Sequence, residues 1–255
     1  MRLESKVKVE VKGKVFGGEK CLSCIPMIPA TREALIEETK AVAAMKPDII
    51  EWRVDYFEEA GDAAATAEAL KEISQYLAEI PVIFTFRHVC EGGAKEYPQE
   101  VRLATIRAAL ETGCADIIDI EACNEKEFIA EVKALTVANN AKLILSFHNF
   151  QSTPSEDFIY SKLVEEKNLG ADLPKLAVMP KNFDDVLTLM RATYRARTEA
   201  VDQPMITMSM GDVGKISRVI GDLYGSDMSF VVGQAASAPG QIPVAVVNQM
   251  WELLK

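Results

Sequence analysis

Lys175 sits inside an otherwise apolar run, Leu173-Pro174-Lys175-Leu176-Ala177-Val178-Met179. If the run is a β-strand, alternation places Ala177 and Met179 on the face of the lysine. Such a lysine can start the strand in solvent, pair with a buried carboxylate, or be kept for chemistry. Apolar surroundings would desolvate the ammonium and favour the neutral amine, the form that attacks a ketone to make an imine. In "SFHNF" (146–150), Ser146 and His148 share one strand face, with Phe147 on the other. An imidazole can take and return a proton near physiological pH. Charged residues gather in similar settings elsewhere. Glu51, Arg53 and Asp55 are spaced by two against the apolar Ile50, Trp52 and Val54, and Arg87 is soon followed by Glu91-Gly92-Gly93. Asp119 and Glu121 alternate with Ile118 and Ile120, and Arg218 stands in a segment that passes from loop to helix. Met208 and Met210 could wall a pocket with adaptable apolar surface. Ser237 and Gln241 lie in "ASAPGQIP" (236–243), which reads as a closing lid or an ordinary turn. An imine-forming amine, an acid/base imidazole, several carboxylates and three arginines suit chemistry on a polar anionic keto compound. Arginine can hold its carboxylate through two parallel hydrogen bonds. The competing reading of the Glu51–Arg53–Asp55 row is an internal structural ion pair.

These residues need elements to bring them together. Eight strand-like runs fall at 20–28, 47–57, 80–88, 114–122, 141–150, 173–180, 204–211 and 227–235. Amphipathic helical stretches separate them, such as "TREALIEETKAVAAM", "YPQEVRLATIRAALETG" and "NEKEFIAEVKALTVAN", and "PVAVVNQMWELLK" reads as a closing helix. This alternation predicts a (β/α)₈ TIM barrel, a single domain over 1–255, with the alternating segment 1–19 as a β-hairpin capping the barrel bottom. The rival is a doubly wound open sheet, which often carries a glycine-rich phosphate turn after its first strand; "IPMIPATRE" has no glycine. In a barrel each strand is buried on both faces, so polar residues late in a strand collect at the C-terminal rim, where this fold builds its active sites.

The formal net charge of -10 argues against general binding to nucleic acid or to an anionic membrane surface. Neither a signal-peptide core nor a run of about 18 apolar residues is visible, so a cytoplasmic protein is expected. Five cysteines suit reduced thiols better than a disulfide framework. Cys21 and Cys24, three apart on one strand, point to opposite faces and read as core residues rather than a redox or zinc pair. Neither of the two histidines has metal-ligand spacing around it.

The segments "IIEWRVDYF", "FTFRHVCEGG", "SFHNF", "GADLPKLAVMP", "ITMSMGDVGKISR" and "SAPGQIPV" follow one another in an order that resembles the type I 3-dehydroquinate dehydratases, over residues 20–255. The resemblance implies a barrel that needs no metal or organic cofactor, works as a homodimer and dehydrates 3-dehydroquinate by syn elimination. It implies that Lys175 forms an imine with the C3 ketone. His148 would remove a C2 proton and return a proton to the departing C1 hydroxyl, with Glu91 supporting it. It assigns Arg218, Ser237 and Gln241 to the substrate carboxylate and nearby hydroxyls, and Glu51, Arg53 and Arg87 to the ring hydroxyls and the organisation of the site, with Met208 in the pocket wall. Two departures stand out. Asn149 occupies a position where the family commonly has Asp, though strand alternation turns it away from the His148 face. Asp212 and Lys215 make the stretch before Arg218 more polar.

Two other functions compete. A transaldolase-type aldolase also places its lysine on a barrel strand, but phosphorylated substrates would call for a phosphate site after strands seven and eight. Arg218 and "SAPGQ" suit a carboxylate and hydroxyls better. A catalytically silent barrel that binds a metabolite predicts loss of Lys175 or His148, and both are present.

Overall fold

The structure is a computed structural model that describes residues 2–233 and 237–254. Two short antiparallel strands, β1 (Val9–Val11) and β2 (Lys14–Phe16), form a hairpin. Eight parallel strands follow: β3 (Leu22–Met27), β4 (Ile49–Arg53), β5 (Val82–Thr85), β6 (Ile117–Glu121), β7 (Lys142–Asn149), β8 (Leu173–Val178), β9 (Ile206–Ser209) and β10 (Met228–Phe230). Their order around the sheet is β10-β3-β4-β5-β6-β7-β8-β9, and the parallel bridge Met205–Ser226 draws the two ends together into a nearly closed barrel. Each observed strand lies inside the run expected from the sequence. The last of those runs, 227–235, is cut to three residues, and its positions 234 and 235 fall outside the described residues.

Eight helices cover the outside: α1 (Arg32–Ala44), α2 (Ala63–Ser74), α3 (Gln99–Glu111), α4 (Lys126–Ala138), α5 (Glu156–Asn168), α6 (Phe183–Glu199), α7 (Gly211–Ile220) and α8 (Val244–Leu253). Several begin where a side-chain oxygen can take up an orphan backbone N–H. Thr31, Asp62, Ser155 and Asn182 cap α1, α2, α5 and α6 in this way.

Alternate strand residues face opposite ways, so an interior core is ringed by two outer ones, the second of them formed by Leu176 and Val178 of β8 with Ile159, Leu163, Leu189 and Ala192 of α5 and α6. Ile50, Trp52, Phe84, Ile118, Leu143 and Leu145 pack outward against helices α1–α4 and α8, whereas Cys24, Ile49, Ile83, Ile117, Ile144, Leu173 and Ile206 fill the barrel interior. Cys21 belongs to an outer core and Cys24 to the inner, as their spacing requires, and both are free thiols. Val11 and Phe16 of the hairpin join the interior core beside Leu22 and Ile49, the early residues of β3 and β4. The hairpin therefore closes the N-terminal end of the barrel and leaves the C-terminal end open. Among the described residues no helix is long and apolar enough to cross a membrane.

Candidate active site

The open end of the barrel holds a cavity of about 180 Å³, lined by Glu51, Arg53, Arg87, Glu91, His148, Lys175, Met208, Arg218, Ser237 and Gln241 among others. These ten are the residues expected to form the site, and they meet there; Asp55, Asp119, Glu121 and Ser146, also conspicuous in the sequence, are not in its lining. Its volume is below the drug-sized range and suits one small ring. A larger hollow lies elsewhere, around Arg2, Lys20 and Trp251, but it holds none of these residues.

Lys175, on β8, is almost fully buried. Its Nζ donates to Asp119 Oδ2 at 2.7 Å, lies 3.8 Å from Glu51 Oε1, and sits 4.3 Å from the centre of the Phe230 ring. Of the readings open from the sequence, the start of a strand in solvent fails, and pairing with a buried carboxylate is present. Ala177 and Met179 do flank the lysine along its own strand, but neighbouring strands supply carboxylates that its own sequence context cannot reveal. The pairing answers the cost of burying an ammonium, which is several kcal/mol for an unpaired ion.

Asp119 is shared. Its Oδ1 lies 2.9 Å from Arg87 and accepts the Ser146 hydroxyl at 2.7 Å. Burial opposes ionisation of Asp119, but Arg87 and Lys175 outweigh it and hold the carboxyl below the usual aspartate range. Arg87 also donates to Glu121 at 2.9 Å and to Ser146 Oγ at 2.6 Å. Glu121 in turn receives Arg102 of α3 at 2.6 Å. Thus Arg87 is the hub of a buried charge lattice and reaches the cavity from its floor.

His148, near the end of β7, has its ring Nδ1 2.9 Å from Glu91 Oε2. Burial pushes the imidazole well below its ordinary range, and the cations Arg87, Lys175 and Arg53 push the same way. Burial also raises the Glu91 carboxyl to about 7, against the pull of Arg87. Both shifts favour uncharged forms in a dry site. With Glu91 ionised, the pair has a neutral imidazole with its proton on Nδ1, leaving the Nε2 lone pair free. Phe150 stacks on the ring at 6.2 Å between centres.

The row Glu51–Arg53–Asp55 departs from a continuous strand. β4 ends at Arg53 and the chain turns into a 3₁₀ helix over Val54–Tyr56. Asp55 still meets Arg53, through two hydrogen bonds of 2.8 Å each. Arg53 also donates to the Gly92 carbonyl at 3.1 Å, which ties it to the segment that carries Glu91. The structural ion pair and the pocket position are thus both present in one residue. Glu51 accepts the Thr85 hydroxyl at 2.8 Å.

Arg218 differs from the other arginines. It lies in the last turn of α7, fully enclosed, and its partners are the Met208 sulfur at 3.5 Å and the carbonyls of Phe230 and Pro239 at 3.2 and 3.1 Å. Its Nε is buried without a partner. Among the described residues no carboxylate compensates the charge, and burial alone pulls the guanidinium down to about 10. Ser237 and Gln241 close a small loop over it: Ser237 N donates to Gln241 Oε1 at 3.0 Å, and Gln241 Nε2 to Ser237 Oγ at 3.1 Å. In the same turn Gly240 has φ +79, and a Cβ there would lie 2.2 Å from the Gly211 carbonyl oxygen.

The expected loop before Arg218 is helix instead. α7 starts at Gly211 directly after Met210, and Asp212 and Lys215 pair with each other at 2.6 Å on its exposed side. Asn149 faces away from His148 and accepts the backbone N–H groups of Gln151 and Ser152, fixing the turn after β7. Met210 lines the cavity beside Met208, as expected, and residues not singled out for the site from the sequence also line it: Tyr56, Phe150, Ala177 and Phe230. Their signal was weak, since an aromatic or alanine near a strand end is ordinary core. Among the described residues no group of three or more His, Cys, Asp or Glu is placed to hold a metal ion.

Comparison with known proteins gives a consistent result. The type I 3-dehydroquinase family model matches residues 23–255. The 3-dehydroquinate dehydratase of Albidiferax ferrireducens is 40% identical over 255 residues, covering 99% of this chain and 96% of the relative. That of Listeria monocytogenes serotype 4a is 42% identical, covering 97% and 98%. The type I 3-dehydroquinate dehydratase of Clostridium difficile, crystallised with covalent modified comenic acid, superposes with a TM-score of 0.94 at 40% identity over 97% of this chain and 98% of that one. The enzyme of Geobacillus kaustophilus gives 0.96 at 33% identity over 100% and 98%. The chain belongs to the type I 3-dehydroquinase family, a family of hydro-lyases.

Proposed function

We propose that this protein converts 3-dehydroquinate to 3-dehydroshikimate through an imine on Lys175. The observation that carries the reading is one cavity, at the open end of the barrel, that brings together a buried lysine, a neutral imidazole backed by a carboxylate, and a buried arginine without a counter-anion among the described residues. Arg218 is then the partner of the substrate carboxylate, with Ser237 and Gln241 beside it. The carboxylate would supply the charge that the empty site lacks.

With the acid held there, the substrate ketone meets Lys175 Nζ. Lys175 passes a proton to His148 Nε2, the neutral amine attacks the carbonyl carbon, and the oxygen leaves as water with that proton and one from the amine, so that an iminium remains on the substrate nitrogen. Asp119 and Glu51 already stand where that cation forms, and Phe230 offers it the face of its ring. The iminium withdraws electrons from C2, whose proton passes to His148 Nε2. Glu91 stabilises the resulting imidazolium through Nδ1. The electron pair left at C2 moves to form the ring double bond and the C1 hydroxyl leaves, taking a proton from His148 to become water. Water then hydrolyses the iminium and restores the amine. One residue can serve both proton transfers when they occur on one face, as a syn elimination requires. Arg53, Arg87, Glu51 and Met208 complete the walls around the ring and its hydroxyls.

The same reading takes the whole chain, 1–255, as one barrel unit, needing no metal or organic cofactor, and paired as a homodimer in the cytoplasm. Free cysteines and the hairpin packed into the barrel floor agree with it. Borohydride reduction in the presence of 3-dehydroquinate, followed by peptide mass mapping, tests the mechanism. A reduced adduct on Lys175 is expected, and Lys175→Ala should abolish turnover. An active preparation that yields no adduct at Lys175 would refute it.

A further inference from the structure

Two exposed thiols stand at the rim beside Glu91, and the mechanism above uses neither. Cys90 lies in the 3₁₀ turn Val89–Glu91 after β5, and Cys123 lies just beyond the end of the neighbouring strand β6. Their sulfurs are 3.6 Å apart. The other three cysteines have no such neighbour: Cys21 and Cys24 are buried, and Cys114 meets only Ser74 and a carbonyl.

The environment of the pair is asymmetric. Cys90 Sγ lies 2.9 Å from His88 Nδ1, which also accepts the Cys90 backbone N–H at 3.2 Å. A backbone N–H can only donate, so Nδ1 is an acceptor, and the Cys90 thiol lies within reach of the same acceptor. Cys123 faces the other way. Although the residue is exposed, its sulfur is partly covered, and that cover together with the Glu91 negative charge keeps the thiol protonated. The contacts His88–Cys90 and Cys90–Cys123 thus lie beside Glu91, which follows Cys90 in the chain and holds His148.

We propose that Cys90 and Cys123 are a thiol modification site that reacts with low-molecular-weight disulfides, and that the bond formed between them disables the Glu91–His148 pair. The Cys90 thiolate attacks one sulfur of the small disulfide, forming a mixed disulfide and expelling the first small thiolate. Cys123 gives up its proton, its sulfur attacks Cys90 Sγ, and the second small thiolate leaves. The two protein thiols lose two electrons and two protons in all, and the small disulfide becomes two thiols. Joining the sulfurs requires them to close from 3.6 Å to about 2.05 Å. It consumes the Cys123 thiol, which favours the ionised form of Glu91. It also tethers the turn preceding Gly92, whose carbonyl holds Arg53.

The effect on turnover rests on the function proposed above; the disulfide itself does not. Wild-type protein and Cys90→Ser are incubated with oxidised glutathione, free thiols are alkylated, and peptides are mapped by mass without reduction. Wild type should yield one cross-linked pair joining Cys90 and Cys123, two hydrogens lighter than its thiol form. Its dehydratase rate should fall at least about tenfold and recover with dithiothreitol, consistent with loss of general acid–base support. The His148 imidazole resonances should shift on oxidation whether or not dehydroquinate is turned over. Cys90→Ser should retain the reduced rate and show no response. Cys90 and Cys123 left as free thiols or as separate glutathione adducts would overturn the proposal. So would a cross-link with unchanged His148 resonances. Reduced protein without any dehydratase activity would instead overturn the function, while the masses and resonances still decide the disulfide and its link to His148.

Discussion

Glu91 holds His148 at two points through one oxygen: Oε2 accepts the backbone N–H at 2.8 Å and the ring Nδ1 at 2.9 Å. The double contact fixes both where the strand end lies and how the imidazole turns. It also couples position to charge, because only an ionised Glu91 can accept both hydrogen bonds through that oxygen while supporting an imidazolium.

A pH dependence follows. Burial raises Glu91 to about 7, so its ionised fraction grows as pH rises through that value. The rate of dehydration, measured as kcat/KM, should rise with pH over about one unit either side of 7 and then level off. In Glu91→Gln the charge is gone at every pH. That limb should disappear, and kcat should fall by about 10²-fold. A variant that keeps both the limb and the wild-type kcat would show that Glu91 does not serve His148 in the reaction.

Arg218 is set to trade stability for binding. Its guanidinium is enclosed with a thioether and two carbonyls as partners and an unpaired Nε. Such a charge is costly in the empty protein and favourable once a carboxylate arrives. Arg218→Met should therefore stabilise the empty protein by about 1 kcal/mol, or about 2–4 °C in Tm for a chain of this size. The same change should lower kcat/KM by about 10²-fold through lost charge-assisted hydrogen bonds. Thermal melts with and without substrate check both sides. A lower Tm together with an unchanged KM would contradict the assignment.

Much of the barrel is legible because its strands are apolar on both faces, so a charge late in a strand is conspicuous. Lys175 and His148 stand out for that reason, and Arg87 and Glu51 follow from the same rule. What the sequence hides are partners that only barrel closure brings together. Asp119 lies 56 residues from Lys175, and nothing local to either says that one neutralises the other. Phe230 comes under the lysine from the far end of the chain. Arg102 and Glu166 are hidden differently. Each sits in a charged helical stretch that reads as solvated surface, yet both are buried, Arg102 reaching Glu121 and Glu166 turning toward β8. The loop expected before Arg218 failed because Asp212 and Lys215 satisfy each other on the outside of a helix, where polarity does not oppose helix formation.

Glu166 supplies a further test, on stability. It is fully buried on α5, Oε2 accepts the backbone N–H of Lys175 at 3.0 Å, and Oε1 has no partner. Burial raises its carboxyl well above the ordinary range, with Lys162 too weak to offset it. The folded protein therefore keeps a proton that the unfolded chain releases above about pH 4.3. Between that value and the folded pKa the native state binds more protons than the unfolded state, so stability must fall as pH rises, by up to about 1.4 kcal/mol per unit for this group. Glu91 adds a slope of the same sign up to about 7, and both variants share it. Glu166→Gln keeps the oxygen that accepts from Lys175 and cannot ionise. Urea unfolding at about pH 5 and about pH 8.5 should find wild type and variant close at the lower pH and the variant more stable at the higher, with the gap widening in between. Parallel pH profiles would mean that Glu166 is ionised in the fold, and that the lysine strand rests on a carboxylate rather than on a neutral acid.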